Sequence, residues 1–167
     1  PTAIRRTVAF STAIDEGEMV VEGVRAVKCS NVNDIMAALK ERNVAVIADP
    51  DLNILNDIKC HVLVDAVLAK RNLGTKITDA PVVIGVGPGF TAGKDCHFVI
   101  ETKRGHNLGV VIEKGEPAKN SGVPGNIGGY TKERIIRSNC KGVFKPLRKI
   151  GDIVKKGQLF PVLKIVR

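Results

Sequence analysis

Apolar positions along the chain change period several times, and each change predicts an element. In Thr2–Ile14, Ile4, Val8 and Ala9 fall at helical spacing, and Asp15-Glu16-Gly17 ends the run. Met19–Cys29 alternates about Gly23, the pattern of a hairpin or two short strands. Ser30 or Asn31 can cap a following helix, since either side chain can accept a free amide of the first turn. Ile35, Met36 and Leu39 would be the buried stripe of that helix. Val44–Ala48 is unbroken apolar, as in a strand covered on both faces. His61–Ala69 predicts another strand, and a buried strand begins at Val82. Asp95–Lys103 then alternates strictly. Period two puts Cys96, Phe98, Ile100 and Thr102 toward the core, and Asp95, His97, Val99, Glu101 and Lys103 on the other side.

This order of strands and helices predicts an α/β fold: a Rossmann-like, mixed-sheet domain over residues 1–115, truncated at its N-terminus. Residues 116–132, rich in Gly, Pro and Asn, read as a linker or a lid over a neighbouring site. Residues 133–167 read as a small basic β module.

Composition narrows the class. With 44% hydrophobic residues, 4% aromatics and no tryptophan, the 167-residue chain has the means for an aliphatic core. The first residue is Pro1 rather than Met, which predicts further residues upstream. Cys29, Cys60, Cys96 and Cys140 form no CxxC pair, so neither a zinc site nor a disulfide framework is signalled, and reduced thiols in a cytoplasm are expected. No apolar run is long enough to span a bilayer.

The net charge of +9 is uneven. Residues 1–131 carry 15 Lys/Arg against 15 Asp/Glu, whereas residues 132–167 carry 11 against 2. Such a patch suits an acidic partner or is simply a solvated basic face. The scarcity of aromatics for base stacking argues against nucleic acid.

Chemistry concentrates in Val82–Gly109, where Gly85, Gly87, Gly89 and Gly93 precede Asp95, His97, Glu101, Arg104 and His106. Familiar nucleotide loops fail there. A Walker loop ending at Gly93-Lys94 would need glycine where Pro88 stands and Ser or Thr where Asp95 stands. A dinucleotide fingerprint starting at Gly85 and Gly87 would need glycine at Phe90. What remains is a loop, with Gly87, Gly89, Thr91, Gly93 and Lys94, whose amides from Phe90 to Lys94 could cradle an anion, or equally a tight connection that needs its glycines only for geometry. Arg104, by its planar fork, and His106 could bind an anionic group, or His106 could only cap the turn. Asp95 and His97, with Glu101 beside them, are candidate acid–base groups. Asp95 and His97 alone would need a third ligand to hold a metal, and none is assigned. Cys96, on the core side, reads as a structural thiol. Asp49-Pro50-Asp51 lies at a strand end but matches ordinary turn chemistry.

One long motif carries a resemblance. Ile84-Gly85-Val86-Gly87-Pro88-Gly89-Phe90-Thr91-Ala92-Gly93, Asp95, Val99-Ile100-Glu101-Thr102, Arg104-Gly105-His106 and Leu108-Gly109 are similar to the signature of the accessory proteins of selenium-dependent molybdenum hydroxylases, the YqeB family. Asn120, Gly122-Val123-Pro124-Gly125, Gly128-Gly129-Tyr130 and the opening Pro1–Phe10 extend the likeness over most of the chain. The resemblance implies a cytoplasmic maturation factor that helps make or load a selenium-bearing molybdenum cofactor and docks on a hydroxylase apoprotein. Typical members open with a glycine-rich, Rossmann-like segment upstream of Pro1, so dinucleotide binding is not carried over. Val110 stands where related sequences often have Arg.

Gly142-Val143, Gly151-Asp152, Val154 and Gly157-Gln158 are similar to one half of a barrel-sandwich module of the biotinyl/lipoyl type. No Met-Lys-Met hairpin follows, which points to docking rather than a swinging arm. Half a β module leaves open edges, favouring pairing within the domain or a homo-oligomer. Two other readings stay open: a small-molecule enzyme using Asp95 and His97 on an anionic substrate, and a non-catalytic docking scaffold.

Overall fold

Glu22 and Gly23 both hold positive φ (49° and 81°), the two-residue geometry that suits the twist of a hairpin. They join β1 (Glu18–Val21) to β2 (Val24–Lys28) in antiparallel register, Val21 opposite Val24. The computed structural model describes residues 8–135, 141–148, 152–158 and 161–164, a mixed α/β architecture with two mixed sheets and a small antiparallel pair. The chain divides into two units, Pro1–Gly122 and Val123–Arg167.

In the first unit the predicted opening helix is short: a 3-10 turn at Phe10–Thr12 runs into α1 (Ala13–Glu16). Residues 1–7 of that expectation lie outside the described set. Asn31 caps α2 (Val32–Lys40), its side chain accepting from the Asp34 amide at 3.0 Å while the Asp34 carboxylate accepts from the Ser30 amide at 2.9 Å. The buried stripe is Ile35 and Ala38; Met36 and Leu39 are 46% and 52% exposed, contrary to the expected stripe. The helix is rotated because Ile35 and Ala38 pack with Cys29 against Val27, Ala45, Ile47, Ile54 and Ile58. β3 (Val44–Val46) pairs parallel with β2 at the edge of this three-stranded sheet and is only half-buried, not covered on both faces. Asp49-Pro50-Asp51 is a turn, with the Asp49 carboxylate accepting from the Ile54 amide at 2.8 Å.

The second sheet has the order β4 (Val62–Asp65), β5 (Val82–Val86), β6 (Phe98–Ile100), β7 (Val111–Ile112). β4, β5 and β6 are mutually parallel and β7 is antiparallel. Neither parallel connection, 66–81 or 87–97, contains a helix, whereas parallel strands usually cross over through one.

The alternation expected from Asp95 onward starts only at Phe98, because Ala92 bridges Cys96 and the chain turns between them. Val99, expected on the outer side, is therefore fully buried, while Phe98 and Ile100 are only partly so. Val83, Val99 and Cys96 are the largest fully buried side chains and cluster with Ala80, Phe90 and Ala92.

In the second unit, β8 (Val143–Pro146) pairs antiparallel with β9 (Pro161–Lys164). Arg134 donates to the Gly125 carbonyl at 2.6 Å beside a 3-10 turn at Lys132–Arg134. No barrel forms among the described residues, and Gly151 of the barrel-sandwich pattern lies outside them. No helix among the described residues is long and apolar enough to cross a membrane.

Candidate functional site

Because β4, β5 and β6 are parallel, their last residues Asp65, Val86 and Ile100 share one edge of the sheet. Ligands of open α/β sheets bind outside that carboxyl edge. The segments leaving it carry most of the chemistry anticipated from the sequence.

The glycines of Gly85–Gly93 serve close packing. A Cβ at Gly85 would lie 2.5 Å from Cγ of Phe90. At Gly89, where φ is +117°, a Cβ would lie 2.6 Å from both N and Cα of Arg71. The loop thus presses on the backbone of the segment that leaves β4. That segment holds Leu68 and Lys70 at positive φ (58° and 64°), a conformation that costs non-glycine residues on the order of 1 kcal/mol or more. Asp65 braces it, accepting from the Val67 amide at 3.1 Å and the Thr75 hydroxyl at 2.6 Å.

Four of the five loop amides from Phe90 to Lys94 are spent internally. Thr91 donates to the Asp95 carboxylate (2.8 Å), Ala92 to the Gly115 carbonyl (2.8 Å), Gly93 to the Cys96 carbonyl (2.8 Å) and Lys94 to the Thr91 carbonyl (3.2 Å). The expected nest therefore holds the chain's own Asp95 instead of an open anion site. Gly87 likewise donates to the Ile100 carbonyl at 2.9 Å.

His97 is also committed to the backbone. Its amide donates to the Val83 carbonyl at 2.8 Å, and Nδ1 accepts from the Val83 amide at 3.0 Å. Asp95 and His97 answer to separate backbone donors, and no hydrogen bond joins them as an acid–base pair. Among the described residues no three His, Cys, Asp or Glu side chains converge as a metal site would need.

Glu101, only 6% exposed, is a clamp. One carboxylate oxygen accepts from the Lys103 amide and the other from the Ala118 amide, both at 2.7 Å. The Ala118 bond foremost, then the Lys103 bond, lowers its pKa, with burial opposing them. Residues Gly115–Asn120 form a strap fixed at three points: Gly115 bridges Ala92, Glu116 accepts from the Thr91 hydroxyl at 3.4 Å, and Ala118 is held by Glu101. This part of the expected lid is pinned in place.

Two clefts border the strap. One, of about 240 Å³, is lined by Glu101, Lys103, Arg104, Gly105, His106, Asn107 and Ala118. The other, of about 200 Å³, is lined by residues that include Lys70, Gly89, Thr91, Glu116, Lys119 and Asn120. The structure thus brings Glu101, Arg104 and His106 together and sets Gly89 and Thr91 in the second cleft; Gly93 and Lys94 line neither. Burial foremost raises the Cys96 thiol pKa, in keeping with an inert structural sulfur.

Sequence reasoning did not single out the cleft residues Lys70 and Lys119, and named Asn120 only as part of the resemblance. Lys70 follows a parallel strand, where the carboxyl-edge rule could have found it, but the left-handed turn that presents it has no glycine to announce it.

No family model matches the chain, and no solved structure matches it. The chain is 50% identical over 159 residues to "Uncharacterized protein YqeB" of Escherichia coli (strain K12), a match covering 95% of this chain. It relates the chain to YqeB-like proteins along nearly its whole length. The chain spans only 29% of the length of that relative.

Proposed function

We propose that this chain is the anion-binding part of an accessory protein in the maturation of selenium-dependent molybdenum hydroxylases. The observation that carries the binding step is the state of Glu101. Both its oxygens are taken by backbone amides, and it shares a cleft with Lys103, Arg104 and His106 at the carboxyl edge of the parallel strands. Among the described residues none of those three side chains is in an ion pair, so Lys103 and Arg104 outweigh Glu101 in the cleft. The planar fork of Arg104 suits a bidentate oxyanion such as phosphate or carboxylate.

The pathway assignment is supported by the resemblance of Ile84–Gly109 and its flanks to the accessory family. In this reading the first unit is the remainder of a Rossmann-like domain, and the second is half of a barrel-sandwich module that docks on the hydroxylase apoprotein in the cytoplasm. The ligand is the molybdenum cofactor or a selenium species. The donors of the larger cleft fit the anionic end of such a cofactor: Lys103, Arg104, His106 and Asn107 are donors to oxygen, not ligands for a soft metal. At about 240 Å³ the cleft is below the usual range for whole drug-sized ligands, roughly 300–1,000 Å³. It suits an end group better than an entire cofactor.

The test combines mass spectrometry for bound pterin, elemental analysis for selenium and molybdenum, and calorimetric titration with inorganic pyrophosphate. Pyrophosphate binding that weakens steeply with salt and is lost in Arg104→Ala is the expected result. An absence of pterin, selenium and molybdenum together with no pyrophosphate affinity overturns the reading.

A further inference from the structure

Among the described residues, one face of the second sheet belongs to no core. Register sets Val62 beside Val82, Val64 beside Ile84, Ile84 beside Phe98, Val86 beside Ile100 and Ile100 beside Val111. These eight residues therefore form one continuous aliphatic and aromatic surface across all four strands. None is a member of either core cluster, nor among the side chains packed against one. Val62, Val64 and Val111 are 50%, 53% and 53% exposed, and the other five are partly exposed.

The opposite face is complete. Val83 and Val99 are sealed there by Ala80, Phe90, Ala92 and Cys96, all supplied by the two connections between the parallel strands. The chain thus spends both of its crossovers on one side. Parallel sheets are stable when both faces are covered, and the covering elements are helices with an apolar stripe. The YqeB relative is more than three times as long as the matched stretch, which is 29% of it.

We infer that the Val62–Val111 face is the seat of an amphipathic helical segment with an aliphatic stripe, supplied by the remaining part of a protein of the relative's length. The surface is not a site for small ligands and does not depend on the anion-binding reading. Its eight side chains offer no polar group, so the occupant presents Leu, Ile, Val or Phe at helical spacing. The sheet is then a three-layer structure in the longer protein and a two-layer one within the first unit taken by itself.

The test is accessibility at position 64. Val64→Cys is made in this chain and at the matching position of the full-length Escherichia coli relative, and each is labelled with a maleimide and quantified peptide by peptide. Labelling is expected to be at least tenfold slower in the full-length relative, while a Lys40→Cys control on α2 reacts equally in both. Equal rates at position 64 overturn the proposal. Protection already present in this chain, with twice the monomer mass in light scattering, overturns it in favour of a second copy as the cover. Val64→Lys supplies an independent readout. It is expected to lower the melting temperature of the full-length relative by several degrees and to leave that of this chain unchanged; no shift in the relative overturns the proposal.

Discussion

His97 pairs with Val83 twice, donating through its amide to the Val83 carbonyl at 2.8 Å and accepting the Val83 amide on Nδ1 at 3.0 Å. The ring stands where a backbone carbonyl of an extended β6 would be, and it closes the parallel ladder one residue before the strand begins. Val83 is fully buried, so losing this acceptor leaves an amide with no partner. His97→Ala should destabilise the first unit by about 1–3 kcal/mol. His97→Asn, whose Oδ1 can take the place of Nδ1, should recover most of that loss in a urea titration. Equal losses in the two variants would show that the hydrogen bond is not what matters.

Glu101→Gln should cost on the order of 2 kcal/mol, because a charged acceptor of two amides becomes a neutral group with one acceptor oxygen. The pH dependence follows from the lowered pKa. A carboxylate whose folded pKa lies below its unfolded value of about 4.3 contributes stability that is fully present above that value. The contribution is lost as pH falls through the folded pKa. Wild-type stability should therefore drop on acidification below about pH 4, more steeply than in Glu101→Gln. Amide exchange at Ala118 should rise over the same window.

Gly89→Ala would place a methyl 2.6 Å from the Arg71 backbone at a φ of +117°. Neither neighbour can move aside as a flexible side chain would. A loss on the order of 3 kcal/mol is expected, from the strained dihedral and the overpacking together. Gly93, also at positive φ but with nothing within 4 Å of a Cβ, should lose only about 1 kcal/mol as Ala. Thermal melts of the two variants side by side separate steric approach from dihedral strain.

Arg104→Ala should leave stability within about 0.5 kcal/mol of wild type, as exposed substitutions usually do, while removing pyrophosphate affinity. Arg104 is exposed and bonded to no other side chain among the described residues. A large loss of stability would make it a structural residue.

The sequence was legible where local chemistry decides: a hairpin or two short strands about Gly23, a cap at Ser30 or Asn31, Asp49-Pro50-Asp51 as a turn. It was misleading where tertiary packing decides. Period two from Asp95 put Val99 outside, yet the bridge between Ala92 and Cys96 resets the phase and buries it. Met36 and Leu39 outrank Ala38 in hydrophobicity, but the room beside Cys29 and Val27 selects the smaller residue. The candidate site was half legible. Its turn at Arg104 and His106 stood out in the chain, while Lys70 and Lys119 reach the carboxyl edge only through the left-handed turn after β4 and the pinned strap.

Helix-free connections between β4, β5 and β6 also bear on how the chain folds. Segments 62–65, 82–86 and 98–100 have no local structure between them to shorten the search. Each parallel pairing must close its loop before any contact compensates, and parallel pairing is intrinsically slow. On the ribosome, β4 waits unpaired until β5 has emerged. An aliphatic strand edge exposed for that interval is a target for holding chaperones and for aggregation, which favours low temperature and slow synthesis when the chain is produced.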